Sequence, residues 1–305
     1  MRKFLSLLVL LVFCTYQAQA QRKKSRFLDR CETIYGLGFS NFLGELGGAD
    51  QYGTNGLKDL EMILTRPTAH LGFRYRRSPV ISYKFNLTYG FVAGRDSLTR
   101  ETFRENRNLS FRSPILETSL QFEVSILQVK STRSRYKLQG VRGKSGIDIN
   151  VYMFGGVGGF FFNPKAKYGG RWWALQPLGT EGQGIAASRS KYKRVQACFP
   201  VGFGFRIPLR DKNWTLGFEY GMRITTTDYI DDVSTSYFSP TLIGDKYGPV
   251  AAKLSNRSLI PSEVPTSAQV GQQRGDPTDR DAYMFGIVTL TYRLKSGRSV
   301  LPKFR

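Results

Sequence analysis

The chain has 305 residues, of which 41% are hydrophobic, and its 45 basic and 23 acidic residues give a formal charge of +22. Such a charge on a soluble protein suggests a nucleic-acid partner. An exported chain seldom meets nucleic acid, however, and the first residues predict export. We therefore expect no nucleic-acid partner.

Residues 1–20 have the pattern of a secretory signal peptide. Arg2 and Lys3 are followed by an apolar run, and Ala18-Gln19-Ala20 offers small residues for cleavage. The apolar run is about ten residues long, whereas a membrane-spanning helix needs about 20. Without Arg2 and Lys3 the mature chain has a charge of +20. It begins with a basic segment, residues 21–32, which we expect in the periplasm.

Eight later segments alternate between bulky apolar residues and small or polar ones, as a strand with one apolar face does. In ISYKFNLTYGF (81–91) every odd position is apolar and every even position is small or polar. The segments with this pattern are 33–43, 68–75, 81–91, 116–126, 147–153, 195–205, 214–224 and 282–292. The last is apolar on both faces, and we assign Ala282, Met284, Val288, Leu290 and Tyr292 to the outside.

Three features favour a transmembrane barrel over a soluble sandwich. Most of the segments have about ten residues, as tilted membrane strands do, whereas soluble strands average about 5–6. Several carry charged residues in mid-strand on the polar face, where opposite charges can pair inside a small barrel. Aromatic residues near the strand ends, such as Tyr75, Phe91, Phe205 and Trp214, suit an interfacial girdle.

The connections alternate between short and long, as in outer-membrane barrels with short periplasmic turns and long external loops. The sequence therefore predicts an all-β fold: an eight-stranded antiparallel transmembrane barrel in the outer membrane. It would span residues 33–293 and be followed by a basic periplasmic tail, 294–305. The long external loops are 44–66, 94–111, 163–192 and 227–280.

The predicted interior is balanced in charge. Its four basic residues face four acidic ones: Arg74, Lys84, Arg194 and Arg223 against Glu117, Glu123, Asp148 and Glu219. Eight strands make a barrel just wide enough to be filled by side chains, so we do not expect a diffusion pore.

The excess positive charge gathers on the periplasmic side, where 21 basic and three acidic residues give a net charge of +18. A basic rim near anionic lipid headgroups is one explanation, and a docking face for an acidic periplasmic partner is the other. The candidate partner-binding residues are Lys130, Arg133, Arg135, Lys137, Arg142, Lys144, Arg210, Lys212, Arg298, Lys303 and Arg305.

Three features of the sequence raise the question of a metal, catalytic or phosphate-binding site. Asp228, Asp231 and Asp232 do not have the spacing of a calcium-binding EF-hand loop, so a solvated or helix-capping acidic turn is favoured over a calcium site. His70 is the only histidine, and we expect it to form hydrogen bonds in the interior. GGVGG (155–159) lacks the lysine of a phosphate-binding loop and marks a bend or close approach. We expect no cofactor, metal or catalytic residue.

Two cysteines remain after signal cleavage, Cys31 and Cys198. We place Cys31 below the barrel and Cys198 on the inward face of the outer half of the sixth strand. The two are then too far apart for a disulfide, which needs Cα atoms within about 7 Å. Free thiols are therefore expected.

Three stretches, GLGFSNFLGELGG (36–48), TDYIDDVSTSYF (227–238) and the PKFR ending (302–305), resemble the PorG-like outer-membrane barrel proteins of the type IX secretion system. The resemblance implies association with the periplasmic ring formed by PorK and PorN, which would meet the basic end. The chain departs from ordinary barrels because it continues about a dozen residues past the last strand and lacks a terminal aromatic strand signal.

The leading hypothesis is a structural component of a protein secretion machine without enzymatic activity. One alternative is an adhesin or ligand-binding barrel that works through its external loops, especially 227–280. The other is a lipid-modifying enzyme with His70 as its base, which would require His70 at the lipid-facing rim.

Overall fold

The computed structural model describes residues 27–44, 46, 64–98, 102–129, 148–211, 213–259 and 269–295. Eight long strands dominate this part of the chain, and a short hairpin (β6 and β7) lies between the fifth and sixth of them. The strands are β1 Cys31–Leu43, β2 Arg66–Arg76, β3 Ile81–Arg95, β4 Ser110–Val129, β5 Ile149–Phe162, β6 Lys165–Tyr168, β7 Arg171–Ala174, β8 Val195–Pro208, β9 Trp214–Thr225 and β10 Ala282–Arg293.

The eight long strands form a closed antiparallel barrel. Each pairs with the next in the order β1, β2, β3, β4, β5, β8, β9 and β10. Pairing of β1 with β10, from Glu32 opposite Arg293 to Leu43 opposite Ala282, closes the cylinder and leaves no free edge. The predicted eight-stranded barrel is confirmed.

Several strands are longer than the sequence indicates. The barrel begins at Cys31 rather than at residue 33, and β4 runs for 20 residues. Strand β5 begins at Ile149 and continues through the GGVGG stretch to Phe162. A Cβ on Gly156 would lie 2.2 Å from the carbonyl oxygen of Leu120 on β4, so close approach is the structural role of this glycine.

The outer surface of the barrel is an apolar band. Leu37, Leu120 and Val288 are 73%, 61% and 52% exposed, whereas Gln121 beside Leu120 and Thr289 beside Val288 point inward and are buried. A surface this apolar is stable in hydrocarbon rather than in water. The protein is therefore an outer-membrane barrel. On the face of β10 assigned to the outside, Val288 and Leu290 are exposed as predicted, whereas Ala282 and Met284 are buried in a small cluster with Leu43.

The external connections fold into a compact layer that we call the external cap, residues 96–109, 163–194 and 226–281 as far as they are described. It contains β6, β7 and a 3₁₀ helix, Asp96–Leu98. Its helices are α1 Thr102–Arg107, α2 Leu175–Leu178, α3 Pro240–Tyr247 and α4 Pro249–Ser255. Among the helices that the structure describes, none is long and apolar enough to cross a membrane.

One apolar core joins the external cap to the outer third of the barrel. Leu109, Leu175, Ile230 and Leu254 of the cap are buried against aromatic side chains that rise from the barrel. These aromatic residues are Phe42, Phe111, Phe160, Phe162, Tyr283 and Phe285. The external end of the barrel is thus covered by folded protein.

Candidate functional site

The interior of the barrel is held by a network of buried ion pairs centred on Arg74. Its guanidinium lies 3.1 Å from Glu32 and 2.8 Å from Glu123, and only 1% of its side chain is exposed. Because β2, β1 and β4 each supply one of these residues, the network joins strands around the cylinder. Arginine suits this position, since its planar fork can serve two carboxylates at once.

Lys84 completes the same layer from β3. Its Nζ lies 2.6 Å from Glu219 on β9 and 3.2 Å from Glu123. Glu219 also accepts a hydrogen bond of 2.6 Å from the Tyr152 hydroxyl. The contact between β3 and β9 crosses the interior, so charged side chains bridge the cylinder at this level.

A second layer lies closer to the external cap. Glu117 on β4 pairs with Arg223 on β9 at 3.1 Å and accepts hydrogen bonds from the hydroxyls of Tyr283 and Ser119. All four side chains are buried. Hydrogen bonding to every carboxylate is what makes buried charges tolerable inside a barrel.

The charged residues that point into the interior differ from the predicted ones by two exchanges. Arg194 does not point inward, since its guanidinium lies 5.7 Å from the ring of the outward Phe161. Asp148 is exposed at the periplasmic mouth. Glu32 and Arg206, which the sequence placed at the periplasmic end, occupy the interior instead, with Arg206 3.1 Å from Glu123.

After these two exchanges the interior still has equal numbers of basic and acidic residues, as the sequence predicts. The described interior holds four basic residues, Arg74, Lys84, Arg206 and Arg223, and four acidic ones, Glu32, Glu117, Glu123 and Glu219. Moving Arg206 and Glu32 inward and Asp148 to the mouth leaves 20 basic and three acidic residues in the parts of the sequence predicted to be periplasmic, most of which lie outside the described residues. The net charge there becomes +17, against +3 for the external side.

Two other predictions about the interior are confirmed. His70 is buried, and its Nδ1 shares a hydrogen bond of 2.9 Å with the Thr88 hydroxyl. Cys31 and Cys198 are both buried and free. Gly204 makes room for a large side chain, because a Cβ there would lie 2.6 Å from the ring of Tyr152.

The periplasmic mouth is the candidate docking site, and a cavity of about 360 Å³ opens there. Charged side chains of both signs line it: Glu32, Arg76, Asp148 and Arg206. Of the predicted partner-binding residues the structure describes only Arg210, which is exposed beyond the end of β8. The remaining ten lie outside the described residues: Lys130, Arg133, Arg135, Lys137, Arg142, Lys144, Lys212, Arg298, Lys303 and Arg305.

The acidic stretch of the external cap is buried, so its interpretation as a solvated or helix-capping turn was wrong. Asp231 and Asp232 are each 1% exposed. Asp231 accepts a hydrogen bond from the amide of Val233, and Asp232 accepts one of 2.6 Å from the hydroxyl of Tyr192. The described residues contain no group of three or more side chains suited to holding a metal ion.

A buried ion pair lies beside Asp232. Glu181 and Arg274 approach to 2.8 Å, and Arg274 also donates to the backbone carbonyl of Asp232 at 2.6 Å. The cap has another such pair, in which Asp96 receives both Nε and Nη2 of Arg107. The sequence contains no signal for either pair, since the partners lie in separate short helices or turns whose packing no local pattern predicts.

The pKa of Asp232 predicts a pH dependence of the external cap. Burial raises this pKa from 3.8 to about 6, although Arg274 and the hydroxyls of Thr180 and Tyr192 oppose the shift. Because the folded state holds the proton more tightly than the unfolded state, stability is greatest below the unfolded pKa. It falls as the pH rises from about 4 to 6, by about 3 kcal/mol.

We expect the cap to become more sensitive to protease over this pH range, and the variant Asp232→Asn to remove most of the change. Digestion of the mature chain in detergent micelles, followed at fixed pH steps, measures it. A matched Asp245→Asn variant, at an exposed position on α3, should keep the parental profile. A flat profile for the parent would contradict the assignment of this proton to Asp232.

Comparison with known proteins adds three solved structures of low similarity. No protein-family model and no curated protein matches the sequence. Neisserial surface protein A (NspA) is 8% identical, with 87% of this chain and 97% of that chain covered and a TM-score of 0.37. Ail of Yersinia pestis, in complex with the heparin analogue sucrose octasulfate, is 9% identical over 86% and 98% of the chains, with a TM-score of 0.32. The outer-membrane protein AlkL is 11% identical over 89% and 93%, with a TM-score of 0.31. Similarity of this degree carries no information about ligands or partners.

Proposed function

We propose that the protein is a structural outer-membrane component without enzymatic activity, and that its basic periplasmic end docks an acidic periplasmic partner. The observation that carries this proposal is the charge asymmetry. The interior is neutral in its described residues, whereas the parts of the sequence predicted to be external have a net charge of +3 and those predicted to be periplasmic have +17. A surface of one sign attracts and orients a complementary protein.

The arrangement of the interior supports a role for the surfaces rather than for a channel. Lys84 and Glu219 meet across the cylinder at 2.6 Å, and the external cap covers the opposite end. Because protein side chains fill the interior and the cap covers its external end, we do not expect solutes to pass through the barrel. The parts open to partners are the periplasmic mouth and the outer surface of the cap.

The resemblance to PorG-like barrels supplies the finer proposal. In that family the barrel associates with a periplasmic ring of a type IX secretion system. We accordingly propose a ring of PorK- and PorN-like proteins as the partner. A structural role in protein secretion is consistent with a mixed-charge cavity at the periplasmic mouth, into which a side chain of the partner could extend.

Charge reversal tests the docking proposal. The variant with Lys130, Arg133, Arg135 and Lys137 each changed to Glu should lose at least tenfold of its co-purified periplasmic protein, because eight units of charge change at the interface. Quantitative mass spectrometry of affinity-purified detergent extracts measures the loss. The matched control reverses four exposed basic residues of the external cap, Lys193, Lys246, Lys253 and Arg280, and should retain its partners.

Unchanged co-purification in the periplasmic variant would contradict docking. If that variant instead loses only its affinity for vesicles containing anionic phospholipid, the basic end serves as a lipid-facing rim.

Ligand binding through the external cap is the second candidate, and one observation favours it. The cap packs into the apolar core that it shares with the barrel and contains buried ion pairs, so it can present a fixed binding surface. Deletion of most of residues 227–280 should then abolish surface binding and leave protein export intact. No observation favours the lipid-modifying enzyme, because His70 lies inside the barrel and not at its lipid-facing rim.

A further inference from the structure

Basic residues occupy the outward face where β3 and β4 leave the apolar band on the external side. Arg95 pairs in register with Ser110, and Arg112 pairs with Ala93 two positions along the ladder, so both arginines lie on the same face. Both arginines are exposed, while Phe111 and Ser113 on either side of Arg112 are buried. The two guanidinium groups therefore point away from the barrel, toward the lipid side.

The β6–β7 hairpin extends this face. Lys165 lies opposite Arg112 across the β4–β6 pairing, so the two side chains share a side. Ala166 is buried in the core of the external cap, which places Lys167 on the same outward side as Lys165. Lys167 pairs in turn with Trp172, a half-exposed aromatic residue.

Aromatic rings hold Arg112 at the edge of the apolar band. Its Cζ lies 4.3 Å from the ring centroid of Phe91 and 5.9 Å from that of Trp172. Phe91 continues the outward row of β3 that includes Tyr89. Because aromatic girdles mark the boundary between hydrocarbon and headgroups, Arg112 lies at the headgroup level of the external leaflet.

Arg257 adds a fifth positive charge from the segment after α4. Its Nη1 donates a hydrogen bond of 3.1 Å to the Ser110 hydroxyl, which fixes it beside the external end of β4. Burial lowers the pKa of Arg257, and the charge of Arg95 lowers it further, against the opposing effect of Asp96. Like charges are thus held close together.

Among the described residues of the strands that carry this cluster, no acidic side chain shares its face. The only acidic residues of β3, β4, β6 and β7 are Glu117 and Glu123, which point into the interior. Asp96, at the start of the cap, is buried and receives both Nε and Nη2 of Arg107. Arg95, Arg112, Lys165, Lys167 and Arg257, which we call the outer basic patch, therefore present an excess of positive charge to the headgroup region.

We propose that the outer basic patch binds the phosphate groups of a phosphorylated glycolipid in the outer leaflet, of the lipid A type. Arginine guanidinium groups recognise phosphate through paired, charge-assisted hydrogen bonds. Basic residues close to an anionic leaflet are attracted to it by roughly 1 kcal/mol each. The aromatic residues beneath the patch would contact the upper part of the acyl chains while the cations hold the phosphate.

A lipid titration tests the assignment. The mature chain in neutral-detergent micelles is titrated with bisphosphorylated lipid A and with the same lipid after removal of its phosphates, and bound lipid is counted by native mass spectrometry. We expect the parent to prefer the phosphorylated lipid by at least tenfold. The triple variant Arg95→Glu, Arg112→Glu and Lys165→Glu should lose that preference.

A control variant and a milder substitute for the triple variant complete the experiment. Reversal of Lys193, Lys253 and Arg280, which are exposed elsewhere on the cap, should leave the preference intact. If the triple variant lacks the gel mobility of a folded barrel, the single change Arg112→Gln replaces it, with an expected loss of at least threefold.

Equal binding of both lipids by the parent, or an unchanged preference in the patch variants, would overturn the proposal. Displacement of the lipid by inorganic phosphate at equal concentration would also overturn it, since the patch would then be a site for free phosphate.

Discussion

The variant Glu123→Gln is expected to lower the free energy of unfolding of the barrel by about 3–5 kcal/mol. Glu123 contacts Arg74 at 2.8 Å, Lys84 at 3.2 Å and Arg206 at 3.1 Å, and its own side chain is 1% exposed. Glutamine fills the same volume but removes the negative charge. It would leave three cations around one neutral amide, away from water.

Unfolding by urea in detergent micelles, followed by tryptophan fluorescence, measures this loss. Glu105→Gln, an exposed position on α1, is the matched control and should change stability by less than about 0.5 kcal/mol. Combining Glu123→Gln with Lys84→Met should recover part of the loss, because the numbers of basic and acidic residues in the described interior then balance again. A single variant as stable as the parent would show that the network is not the chief polar support of the interior.

Glu181→Gln is expected to destabilise the external cap by about 3–5 kcal/mol and leave the barrel folded. Glu181 pairs with the buried Arg274 at 2.8 Å and accepts hydrogen bonds from the amide of Ser234 and the hydroxyl of Thr235. One carboxylate thereby joins three segments of the cap. The amide nitrogen of glutamine would face these donors without being able to accept from them.

Limited proteolysis of the mature chain distinguishes cap from barrel. The variant should be cut within the cap at protease concentrations that spare the parent, while its far-ultraviolet circular dichroism keeps the β signal of the barrel. The exposed Asp245→Asn serves as the control. Loss of the whole barrel together with the cap would contradict the separation of the two layers.

The number of strands and the side on which each residue lies could be predicted from the sequence. A pattern with a period of two assigns every residue of a strand to one of two faces. Once the odd residues of 81–91 face lipid, Lys84 must face the interior, and the same rule placed His70 and Cys198 correctly. The apolar row also persisted over about ten residues in most segments, which a soluble strand rarely does.

The errors in the interior came from strand ends. Glu32 immediately precedes the predicted first strand, and Arg206 immediately follows the predicted sixth, so both were assigned to the periplasmic end. Asp148 was placed inside a strand that begins one residue later. Alternation gives the face of a residue but not the point at which a strand stops, and the long side chains of glutamate and arginine reach into the interior from the ends.

The cap was beyond sequence reasoning for a different reason. Glu181 and Arg274 are 93 residues apart, and Asp232 meets Tyr192 across 40 residues. Pairs of this kind depend on how irregular segments pack, which no local period records. The burial of Asp231 and Asp232 followed from that packing, and so a solvated or helix-capping acidic turn was the wrong expectation.

Electrical recording on planar lipid bilayers tests most directly whether this is a membrane barrel with a filled interior. The folded mature chain, with insertion verified by protease protection of the barrel, should leave the bilayer conductance at its baseline in molar salt. Discrete steps that scale with salt concentration would contradict the account, because ions would then be crossing the level at which Lys84 meets Glu219.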